Sequence, residues 1–94
     1  MSNVNQESKN RYNYYRLTPS EYDEYQRAND VEKIMYIEVI YSDGKPPYKS
    51  YVVVFKEART VLRDEEIIQR IVSHNTGNIC QCLVDGEPYK ITNL

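Results

Sequence analysis

Residues 32–57 read EKIMYIEVIYSDGKPPYKSYVVVFKE, two apolar, β-rich runs joined by a turn. Strand side chains alternate with period two, so Ile34, Tyr36, Glu38 and Ile40 share one face of the first run. Met35, Ile37, Val39 and Tyr41 share the other. In the second run Tyr51, Val53 and Phe55 oppose Val52 and Val54. A half-exposed strand would alternate apolar with polar, yet here Glu38 is the main interruption. Such runs predict strands that are central in a sheet or covered on both sides. Their β-branched and aromatic residues suit a pleated, packed surface. In the connection, Gly44 tolerates positive φ, while Pro46 and Pro47 have no amide hydrogen for a ladder. The turn is therefore a loop longer than two residues, with Lys45 at an exposed tip.

Upstream, Leu17-Thr18-Pro19-Ser20-Glu21-Tyr22 is a helix start. Thr18 suits the N-cap, Pro19 the first helical position, and Glu21 completes a capping box. Leu17 and Tyr22 are spaced as a hydrophobic staple. The helix is expected from Pro19 to about Ala28, after a short strand over residues 12–17. Downstream, Asp64, Glu65 and Glu66 begin a second helix whose Ile67, Ile68, Ile71 and Val72 form an apolar stripe. It is expected to stop at residues 75–78, NTGN. Asp85-Gly86 between two short apolar runs predicts a two-residue hairpin, and Pro88 places the last strand, residues 87–91, at an edge.

The element order is therefore β-α-β-β-α-β with a further edge strand. It predicts an α+β protein with a small antiparallel sheet and two helices on one face, ferredoxin-like or related. The doubly apolar hairpin sits awkwardly in that arrangement, because the second sheet face needs a cover. An N-terminal arm, a second subunit or a partner would supply it. Residues 1–11 are polar and aperiodic and read as a disordered arm, with residues 12–94 as one α+β domain.

With 12 basic and 14 acidic residues the chain is slightly acidic, unlike a general nucleic-acid binder. No apolar run approaches the ~20 residues that span a bilayer, and the N-terminal residues have no secretory apolar core. Two cysteines give no disulfide framework, and the chain reads as cytoplasmic. Ten tyrosines against one phenylalanine is the compositional oddity. Tyrosine combines apolar area with a polar tip and favours interfaces.

Candidate chemistry is sparse. Cys80 and Cys82 are two apart on an expected strand, facing one side, with His74 upstream. A structural zinc site wants four ligands and usually wider cysteine spacing, so neither metal nor cofactor is expected. His74 has no accompanying nucleophile or orienting group and reads as a helix-terminal residue. Glu21, Asp23, Glu24, Asp30 and Glu32 read as a solvated face with favourable dipole placement.

Two binding readings remain. In the first, the chain is a non-catalytic module that binds another protein, or itself, through Tyr36, Glu38, Ile40, Tyr51 and Phe55. These five are read as spanning both sheet faces. Small acidic single domains of this kind include inhibitors and regulators carried by phages and other mobile elements, an analogy of size and type alone. In the second, Tyr12, Tyr14, Lys49, Tyr51 and Lys56 form a nucleic-acid platform. Residues 49–56 have the basic start and first aromatic of a base-stacking strand. They lack its glycine and carry Val53 where the key aromatic belongs.

Overall fold

A computed structural model of the chain describes residues 11–75 and 77–90. These residues form β1 (Tyr14–Leu17), α1 (Pro19–Gln26), β2 (Val31–Tyr41), β3 (Tyr48–Phe55), α2 (Asp64–Ser73), β4 (Ile79–Val84) and β5 (Glu87–Pro88). The fold is α+β, with the strands in one antiparallel sheet of order β1-β3-β2-β4-β5. Of the expected arm, residues 1–10 lie outside the described residues, as does Ile91 of the expected last strand.

The long apolar hairpin is the centre of this sheet. β2 pairs with β3 on one side and β4 on the other, and β3 also pairs with β1. One face carries Met35, Ile37, Val39, Val52 and Val54 beneath Ile67, Ile68, Ile71 and Val72 of α2. The opposite face carries Val53 and Phe55 against Leu17 of β1 and Tyr25 of α1. Each fully buried aliphatic or aromatic side chain contributes about 1.5–3 kcal/mol relative to exposure.

The two helices thus lie on opposite faces of the sheet, not on one. The reason is topological. β1 and β2 are both antiparallel to β3, and β3 and β4 are both antiparallel to β2, so each helix joins a parallel pair across one intervening strand. Both crossovers step the same way along the sheet, but they leave strands that run in opposite directions. Two crossovers of the same hand, as the strong right-handed preference requires, must then cover opposite faces. A single helical layer would need steps in opposite directions. Among the described residues, α1 supplies cover for the second face, packing Tyr25 on Val53 and Phe55.

Helix ends follow the sequence closely. The Thr18 N–H donates to Glu21 Oε1 at 2.9 Å, and the Arg63 N–H donates to Glu66 Oε1 at 2.9 Å. In each case a carboxylate three residues into the helix satisfies the N-cap amide. α1 ends at Gln26, two residues before Ala28. Asp85 (φ 54°) and Gly86 (φ 84°) form the tight turn between β4 and β5, with the paired positive φ values that a two-residue hairpin favours.

Candidate protein-binding surface

Strand pairing puts opposed residues on one side of a sheet, so the register assigns the candidate residues to faces. Tyr36 lies opposite Tyr51, Glu38 opposite Lys49, and Ile34 opposite Val53. Tyr36, Glu38, Ile40, Tyr51 and Phe55 therefore all belong to the α1 face, not to two faces. A cross-strand pair of odd and even numbers looks split in sequence, because only the pairing register reveals the match.

Their surroundings differ. Phe55 is 2% exposed and meets Tyr25 edge-on, with ring centroids 6.0 Å apart. It is a core residue and offers nothing to a partner. Among the described residues α1 packs on β1, β3 and the Val31–Ile34 end of β2, and has its main contacts there rather than with β4. On the same face Tyr36, Glu38, Ile40 and Tyr51 are half-buried, and Leu83, opposite Glu38, joins them. Lys49 and Gln81 are exposed beside them.

A row of three rings crosses from helix to sheet. Tyr22 of α1 lies 4.3 Å from Tyr51, and Tyr51 lies 4.8 Å from Tyr36. Tilted ring pairs at these spacings add about 0.5–1.5 kcal/mol each beyond area burial. Among the described residues, none of the three hydroxyls has a hydrogen-bond partner. The row is held rigid at its Tyr36 end by the β4–β5 turn. The Tyr36 N–H donates to Asp85 Oδ1 at 2.9 Å, and the Asp85 N–H donates to the Tyr36 carbonyl at 2.7 Å. Ordered rings with free phenol tips on a half-buried apolar floor can bury area at little entropic cost and still hydrogen-bond an incoming group. Tyr22 was absorbed by the staple pattern in sequence, and Leu83 had no signal beyond strand alternation.

The nucleic-acid set is not brought together. Tyr14 packs into the α2 core, and Tyr12 lies beneath the Arg70 guanidinium, 4.6 Å from ring centroid to Cζ. Lys49 and Tyr51 occupy the other face, where Lys49 stands opposite Glu38. Lys56 is exposed past the end of β3. A ring already packed against a guanidinium or the α2 core offers little face for bases to stack on, and a lysine beside a glutamate is a poor phosphate contact.

Cys80 and Cys82 also part company. A register shift between Ile40 and Tyr41 leaves Cys80 as the extra residue of a bulge, exposed, while Cys82 is 1% exposed in the core. Burial pushes the Cys82 thiol up from its ordinary value, which disfavours the reactive thiolate. Among the described residues no three His, Cys, Asp or Glu side chains gather as metal ligands. None of the described helices is long and apolar enough to cross a membrane. Comparison with protein-family models, curated proteins and solved structures finds no match to this chain.

Proposed function

We propose that the chain is a non-catalytic, cytoplasmic protein-binding module that inhibits or regulates a partner protein through the β2–β4 side of its α1 face. The row Tyr22–Tyr51–Tyr36, whose hydroxyls have no hydrogen-bond partner among the described residues, supports this reading most strongly. Half-buried tyrosines around an apolar floor of Ile40 and Leu83 have the composition of an interface centre. Glu38, Lys49 and Gln81 supply a polar rim. Phe55 supports the surface from beneath rather than forming part of it.

The test is capture from nuclease-treated lysate of the source cells, read by mass spectrometry. Wild type is compared with the double variant Tyr36→Ala, Glu38→Lys. The expected result is one stoichiometric protein retained by wild type and lost by the folded double variant. Equal retention by both sinks the assignment of this face. Capture that needs intact nucleic acid supports the nucleic-acid reading instead, and a dimer on a sizing column that the double variant splits makes the partner a second copy.

A further inference from the structure

We infer that β1 is a second docking edge, built to accept an extended, acidic segment of a partner protein as an added strand. Among the described residues β1 is the end strand of the sheet, and no described strand pairs with its outer side. The Phe55 N–H donates to the Asn13 carbonyl at 2.8 Å, and the register continues with Tyr15 opposite Val53 and Leu17 opposite Tyr51. Odd-numbered residues thus bond to β3, and the N–H and C=O groups of Tyr14 and Arg16 point outward. An unpaired row of this kind is the template for strand addition.

The edge is held in place before any ligand arrives. Leu17 is buried under α1, Tyr14 packs into the α2 core, and Asn13 is anchored to the Leu62 backbone. An open depression of about 460 Å³ runs along it, lined by Arg11, Tyr12, Tyr14, Tyr15 and Arg16. Both arginines are exposed, and among the described residues neither is ion-paired to a carboxylate. The contact that Arg16 does make is from its Nη1 to the Tyr48 hydroxyl, at 3.3 Å.

Charge selects the occupant. A second copy adding here would bring its own Arg11 and Arg16 to an edge that already carries both, and this accumulation of like charge is unfavourable. A strand with carboxylates at alternate positions sets one of them beside the Arg16 guanidinium, where a charge-assisted pair forms. A nucleic acid would need free rings, but Tyr12 is capped by Arg70 and Tyr14 is committed to the core. This edge is distinct from the Tyr36 face, so the two sites fail or stand separately.

The probe is a fluorescein-labelled peptide of roughly eight residues, strand length, alternating glutamate with valine. It is compared with the same peptide carrying lysine for glutamate, and with an acidic version N-methylated at alternate amides. Anisotropy gives binding, and amide hydrogen exchange by NMR locates it. The acidic peptide is expected to bind saturably and to slow exchange at Tyr14 and Arg16. Arg16→Glu, its fold checked by circular dichroism, is expected to weaken binding about tenfold. The Tyr36→Ala, Glu38→Lys variant is expected to bind as wild type does. Equal binding of the lysine or N-methylated peptide overturns the proposal, as does unchanged exchange at millimolar acidic peptide. A dT oligonucleotide that protects the same amides overturns it in favour of nucleic acid.

Discussion

Asn13 and Leu62, 49 residues apart, are joined by two hydrogen bonds. Asn13 Nδ2 donates to the Leu62 carbonyl at 3.0 Å, and the Leu62 N–H donates to Asn13 Oδ1 at 2.8 Å. Asn13 is 3% exposed and is the buried polar side chain of the described core. The pair ties the start of β1 to the segment leading into α2, so the edge strand and the helix on the α2 face are fixed to one another. Asn13→Ala strips both partners from the Leu62 backbone. Leaving such buried groups unsatisfied costs about 2–3 kcal/mol. Urea denaturation should report this as a lower midpoint with an unchanged slope. A shift equivalent to less than about 0.5 kcal/mol would mean that water replaces Asn13 without loss.

Val52 and Val53 are neighbours in sequence and both fully buried, on opposite faces of β3. In a sheet with one helical layer, only one of them would be essential. Here Val52→Asp and Val53→Asp should each cost upwards of about 3 kcal/mol, since each buries an unpaired carboxylate. Thermal unfolding of the two variants checks this. Wild-type-like stability of either would remove the helix from that face.

Phe55 and Tyr36 separate core from surface. Phe55→Ala empties the space beneath Tyr25 and should cost about 3–5 kcal/mol. Tyr36→Ala, at a half-buried position, should cost about 1 kcal/mol while removing partner binding. Chemical denaturation alongside a binding assay distinguishes the two. A Tyr36 variant as unstable as the Phe55 variant would make Tyr36 a core residue.

Glu66 gives the acid limb of stability a component that can be assigned. The Arg63 backbone N–H holds its carboxyl below the ordinary value of 4.5, and the Arg63 guanidinium adds to this. Because the folded state favours the charged form, the contribution is complete above the unfolded value. It is lost as pH falls through the lowered folded value. Glu66→Gln should therefore be less stable than wild type at neutral pH, with the gap closing on acidification below 4.5. Melting temperatures across that range test the sign. A gap that widens in acid would contradict it.

The elements were legible in sequence where one local pattern decides them. The capping carboxylates Glu21 and Glu66, the stripe Ile67–Ile68–Ile71–Val72, and the Asp85-Gly86 turn are all local signals. The apolar runs on both sides of β2 and β3 imply strands that are central in the sheet or covered on both faces, and both strands are central. What covered them was not legible, because layering depends on which strands pair and on the hand of each crossover. The same blindness split the candidate site. Tyr36 and Tyr51 face one another only because of the register, and the roofing of Phe55 follows from where the short α1 lands. Cys80 escaped strand alternation through a bulge that no residue type announces.

The claim that the tyrosine row is the partner-binding surface is tested most directly by O-acetylation of tyrosines with N-acetylimidazole. The reaction is followed by mass spectrometry of the free chain and of the chain bound to its captured partner. Tyr22, Tyr36 and Tyr51 should react in the free chain and be protected in the complex, with the buried Tyr25 slow in both. Tyr36 and Tyr51 reacting equally fast with and without the partner would place the binding surface elsewhere.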